Sequence, residues 1–177
     1  MSWILQLSSG APANIAATNT LYANAVPDLV GTFDPGKGKV QWQNGALNGN
    51  YFGDAYAKVV DPQCSAIAGS LRSACTLSAI ADASGKVVLQ NPQPGTRGNL
   101  GQNVIAQPGI WTLDGSLGKR FKITESKAFT LRMDATNIFN HPQPANPNLD
   151  MNNATPFGNI ATKTGVRTFQ GQLRLDF

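Results

Sequence analysis

Charge is scarce in this chain. Asp, Glu, Lys and Arg make up 14% of its 177 residues, against about 25% in ordinary soluble domains. The apolar share is 41%, also below the roughly 45–50% of such domains, so there is little material for a large conventional core. No stretch approaches the ~20 apolar residues of a membrane helix, which excludes helical spans. The opening Met1-Ser2-Trp3-Ile4-Leu5-Gln6-Leu7 has no basic region and no unbroken apolar stretch, so no signal peptide is read there. The net charge of +4 is scattered without an aromatic-basic stripe, and no nucleic-acid partner is expected. Histidine occurs once, at His141, and cysteine twice, at Cys64 and Cys75. Such a set supports neither a zinc site nor a Ser-His-Asp triad. What the chain does hold is 18 glycines and 11 prolines, a turn-rich and β-leaning composition.

The strongest positive signal is alternation. At the C-terminus, Phe169, Leu173, Leu175 and Phe177 share one parity, with a small Gly171 between them, while Gln170, Gln172, Arg174 and Asp176 take the other. Successive strand side chains point to opposite faces, so one face is oily and the other polar up to the final carboxylate. Three further segments alternate: 1–9 (Trp3, Leu5, Leu7), 110–123 (Trp111, Leu113, Leu117, Phe121, Ile123) and 128–139 (Phe129, Leu131, Met133, Ala135, Phe139). Their other faces carry Asp114, Arg120, Arg132 and Asp134, although Ile4 mixes the first. Apolar outward and polar inward is the pattern of a transmembrane β-barrel, whose strands give only a weak hydropathy signal. The expected fold is therefore an all-β, antiparallel barrel piece of about four strands, with long connections over 10–109 and 140–166.

Aromatic spacing sharpens this reading. Trp111 and Phe121 are ten residues apart, as are Phe129 and Phe139. Ten strand residues span about 33 Å, which a tilt of about 40° reduces to ~25 Å, the height of the apolar band of such barrels. These four rings are expected at the two lipid interfaces. Lys119 and Asn137 interrupt the oily face, each near an expected interface, where a lysine can snorkel. Asp114, Arg120, Arg132, Asp134, Arg174 and Asp176 are read as lumen-wall charges whose cross-strand pairs set register. A short turn at Thr124-Glu125-Ser126-Lys127 and two long loops match short periplasmic turns and long extracellular loops, with the C-terminus periplasmic.

Within the first loop, Lys39-Val40-Gln41-Trp42 before Asn44-Gly45 predicts a hairpin start, 65–74 a short helix, Lys86-Val87-Val88-Leu89 a short strand, and Asn91-Pro92-Gln93-Pro94-Gly95 a turn. Loops this long imply structure of their own, serving binding or gating. Gly95 to Gly101 and Gly36-Lys37-Gly38-Lys39 lack the strand–helix context of phosphate loops. Asp150-Met151-Asn152-Asn153 has too few carboxylates for a calcium loop and reads as a solvated Asx-rich turn. An unbroken helix between Cys64 and Cys75 would hold their Cα atoms about 16 Å apart, beyond the ~7 Å a disulfide tolerates. Either the pair is reduced or the segment turns back on itself; in exported material a disulfide is expected.

The run Arg132-Met133-Asp134-Ala135-Thr136-Asn137-Ile138-Phe139-Asn140-His141-Pro142, with Gln107-Pro108-Gly109, Asp114-Gly115-Ser116-Leu117, Ile123-Thr124-Glu125, Phe157-Gly158-Asn159-Ile160 and the terminal strand, resembles the C-terminal end of TonB-dependent outer-membrane receptors. The likeness is to the Oar-like group that carries a carboxypeptidase-regulatory-like domain. Leu21-Tyr22-Ala23-Asn24 and Pro27-Asp28-Leu29-Val30-Gly31 also look like loops of that group. The resemblance implies a 22-stranded barrel in the Gram-negative outer membrane, with a plug absent here, and energised solute uptake through TonB. The implied partners are lipid, the rest of the barrel and plug, the barrel-assembly machinery, and TonB only through the missing N-terminal part. Phe169, Leu173, Leu175 and Phe177 match the signal read by that machinery, with Gly171 a departure. The chain is expected to be a fragment, incompetent alone, with no cofactor, metal site or enzymatic activity. The alternative reading is a secreted soluble β-rich module binding glycans through Trp42, Tyr51 and Asn-rich loops.

Overall fold

A computed structural model of the chain describes residues 1–18, 25–43 and 48–177. The Leu21–Asn24 likeness and the Asn44-Gly45 turn lie outside the described residues. Seven described strands are four residues or longer: β1 (Ser2–Ser8), β2 (Tyr56–Val60), β3 (Ser78–Asp82), β4 (Val87–Gln90), β5 (Ile110–Lys122), β6 (Ala128–Thr136) and β7 (Thr168–Asp176). The strand ladders are antiparallel, and the described residues contain no α-helix. The chain divides into two compact units. One comprises Met1–Ser9, Gly109–Pro144 and Lys163–Phe177; the other comprises Gly10–Pro108 and Ala145–Thr162.

The first unit is a four-stranded sheet in the order β1-β5-β6-β7. Its register carries the alternation across every strand. Leu7 lies opposite Trp111, Leu5 opposite Leu113, Leu117 opposite Met133, Phe121 opposite Phe129, and Leu131 opposite Leu173. Each oily row therefore meets an oily row, because partners across a ladder share a face. The turn between β5 and β6 is closed by the Ile123 and Thr124 amides, which donate to the Lys127 carbonyl, and by the Lys127 amide, which donates to Thr124 Oγ1. Four strands cannot close a barrel, since the smallest known has about eight. The sheet is open, with β1 and β7 at its edges.

The second unit is built from both long connections. Buried Ile15, Tyr51, Phe52, Tyr56, Ile80, Leu89 and Ile105 from the first pack with Leu149, Met151, Phe157 and Ile160 from the second. Backbone pairing joins them as well: Gly49–Asn50 ladders with Asn159–Ile160, and the Tyr51 amide donates to the Gly158 carbonyl at 2.7 Å. A sheet of Asp28–Leu29, β4, β3 and β2 lies in this unit. Its polar centre is Asn91, whose amide and side chain donate to the buried Asp61 carboxylate while its Oδ1 accepts from Asn152. Asn152 thus belongs to a partly buried network, which corrects the expectation of a solvated turn at 150–153.

Two further expectations are corrected. Residues 65–74 form no α-helix; two short 3₁₀ turns, Pro62–Ala66 and Arg72–Ala74, fold the segment back. Pro62 opens the first turn and Asp61 caps it through the Gln63 amide. The reversal brings Cys64 and Cys75 to a Cα separation of 5.6 Å, joined by a disulfide. The second correction is that β6 stops at Thr136 rather than 139. Asn137 takes a left-handed φ of 48° and Asn140 one of 51°, which asparagine tolerates better than other side-chain-bearing residues. Phe139 therefore sits in a turn beyond the strand, not on it.

Candidate functional site: the two faces of the four-stranded sheet

The oily face bears Trp3, Leu5, Leu7, Leu117, Phe121, Leu131, Met133, Phe169, Leu173 and Leu175, all exposed. Single exposed apolar residues need no explanation, but a contiguous, in-register field of them marks an interaction surface. Two details fit it for close packing. A Cβ on Gly115 would collide with the Trp3 ring at 2.5 Å, so this position must stay bare for Trp3 to lie flat. Lys119, the charge on this face, holds its amine 5.2 Å from the Phe121 ring, covering apolar surface with its stem. Gly171, opposite Met133, has open space where a side chain would stand, so its small size is not demanded by a neighbour.

Aromatics gather at both ends of the β5–β6 hairpin. At the turn end, Phe121 and Phe129 are directly paired with ring centroids 6.1 Å apart. At the other end, Trp111 meets Phe139 at 6.0 Å and His141 at 4.3 Å. Phe139 thus joins the Trp111 cluster from the turn. His141 serves the chain reversal: its amide donates to Asn137 Oδ1 and its carbonyl accepts from Asn137 Nδ2. Asn137 Nδ2 also donates to the Gly165 carbonyl, and the Asn137 amide donates to Asp114 Oδ1 at 2.8 Å. This corner binds the end of β6 to β5 and to the segment entering β7. Sequence reading placed Asp114 on the lumen wall and missed its bond to Asn137. The available signal was an Asn ending an alternating run.

The polar face carries the other predicted charges. Arg132 pairs with Asp134 at 3.0 Å, and Arg174 with Asp176 at 2.7 Å. Both are neighbours along one strand, so they do not set cross-strand register, contrary to expectation. Among the described residues the ion pair that links different strands is Arg120–Asp176, at 3.6 Å. Asp176 lies opposite Ala128, so Arg120 reaches across the whole of β6, which small Ala128 permits. Arg120, Thr130, Arg132, Gln172, Arg174 and Asp176 line one concavity of about 550 Å³. Being largely exposed, these pairs each contribute at most about 1 kcal/mol. The wall offers polar contacts and no assembled acid–base constellation.

Of the loop residues suggested for glycan stacking, Tyr51 is withdrawn into the core and Trp42 is half-buried. Tyr51 is buried, its hydroxyl donates to the Ala106 carbonyl, and burial pushes its phenol pKa up. Trp42 packs against the core of the second unit. Phe169, Leu173, Leu175 and Phe177 lie on or just beyond the last strand, all exposed.

A family model described as outer membrane beta barrel domain matches residues 1–170. No curated protein and no solved structure matches the chain.

Proposed function

The chain belongs to the outer membrane β-barrel domain family and is a protein of the outer membrane, and from that premise we propose that it is the C-terminal barrel segment of a TonB-dependent receptor of the Oar-like group. In this reading it takes part in energised solute uptake. The oily face meets lipid, and the polar face with Arg120, Arg132 and Arg174 lines the lumen. The strand edges of β1 and β7 pair with the rest of the barrel, because an unpaired edge is untenable in hydrocarbon. Trp111, Phe121, Phe129 and Phe139 sit at the two lipid–water boundaries. The chain has a transport role and no catalytic one.

The observation that carries the reading is the in-register match of oily rows across four strands, interrupted by Lys119, Gly115 and Gly171, with Phe169, Leu173 and Leu175 on the last. The secreted glycan-binding alternative loses support, since it leaves this field uncovered and Tyr51 of its aromatic pair is buried. The test is removal of Phe177 from the full-length receptor carrying this chain. Folded receptor in the outer membrane should fall while transcript stays constant, since the terminal aromatic is read as the assembly signal. Undiminished folded receptor would overturn that role.

A further inference from the structure

β2 (Tyr56–Val60) is the outermost strand of its sheet: β3 pairs with one side of it, and no described strand lies on the other. The ladder fixes which backbone groups face outward. Asp61 donates its amide to the Leu77 carbonyl, so odd positions of this stretch bond to β3. The Ser78 amide, opposite Val60, turns away from β2 to Asn152 Oδ1, as that register requires. In an antiparallel ladder the alternate residues then point their N–H and C=O the other way. These are Tyr56, Lys58 and Val60, and none of their backbone groups has a partner among the described residues. Natural sheets usually cover, shorten or charge such an edge.

Along this edge runs an open groove of about 600 Å³, lined by Ala57, Val59, Val60, Ala154, Pro156 and Phe157 together with Lys58. Lys58 is the charged side chain of the lining, and its amine now rests on the Asn153 carbonyl at 2.5 Å. We infer that β2 is a docking edge for an extended peptide, which adds as a further strand and brings a carboxylate to Lys58. Three residues with outward N–H and C=O, repeating every second position, are matched in full only by another extended backbone. The apolar groove wall suits small β-branched side chains beside the acid. A second copy is disfavoured as the occupant, because two-fold pairing centred on Lys58 would set lysine against lysine. The inference concerns the loop unit and stands independently of the uptake role proposed above.

The test uses the full 177-residue chain in detergent and a fluorescent, end-blocked heptapeptide of alternating threonine and valine with a central glutamate. Anisotropy should report saturable binding, and amide exchange should slow at Lys58 and Val60. The same peptide N-methylated at alternate residues should bind at least about tenfold more weakly, since it cannot pair with a strand edge. Val60→Pro removes an outward N–H only, which an edge strand accepts. It should weaken binding similarly while the Ser78 amide stays protected from exchange, the sign of an intact fold. Lys58→Glu should reverse preference toward a lysine-centred peptide. Equal binding of the methylated peptide, or unaltered exchange at Lys58 and Val60, would overturn the inference.

Discussion

Two regions of this chain place similar apolar residues in opposite circumstances. In the loop unit, Phe52 is 1% exposed and Ile80 fully buried; in the sheet, Leu173 is 68% exposed and Leu131 45%. The loop unit encloses its oil within protein, with Phe52 stacked on Phe157 at 5.2 Å. The sheet turns its oil outward along four aligned strands. Apolar content alone therefore says little. What separates the two units is whether the apolar rows find partners inside the chain.

The contrast can be broken at either end. Phe52→Ala should cost the loop unit about 3–5 kcal/mol, the usual loss for a buried aromatic, seen as faster amide exchange at Ile80 and Leu89 with the sheet unchanged. Leu173→Arg should cost the barrel about 2–4 kcal/mol if it lies near the bilayer midplane, whereas Gln172→Arg on the polar face should be nearly silent. Unfolding in lipid vesicles measures the difference. Equal effects of the two arginines would abolish the distinction between the faces. Asn137→Ala should cost about 1–3 kcal/mol by leaving the part-buried carbonyls and amide of the corner unpaired, read by the same unfolding experiment.

The smallest effect lies in the β3–β4 turn. The Ser84 hydroxyl, then the Lys86 and Ser84 amides, hold the Asp82 carboxyl below its ordinary pKa. A depressed carboxylate contributes stability above its unfolded pKa and loses it as pH falls through the folded value. Exchange at Ser84 and Lys86 should therefore quicken below the ordinary aspartate range, and Asp82→Asn should remove that dependence.

The sheet was legible because a period of two persists over β5, β6 and β7, and parity alone assigns each residue to a face. The loop unit was not. Its core comes from irregular segments, Ile15, Phe52, Met151 and Phe157 among them, with no period to announce burial. Its ties also span great sequence distance: Asn152 donates to the Thr18 carbonyl 134 positions away. Local rules erred where a side chain outbid the local pattern. Asn137 halted a strand whose alternation ran on to Phe139, and Pro62 with Asp61 turned a helix-like stretch into 3₁₀ turns. Parity puts the polar-face charges on one side of the sheet, but it does not give their partners, since long arginines choose neighbours along a strand or two strands away.

The ladder between Gly49–Asn50 and Asn159–Ile160 has a mechanical consequence. Because the two excursions share one hydrophobic interior, neither can swing aside like a flap on its own hinge. Any large motion of one must carry the other with it, or first melt the interior they have in common.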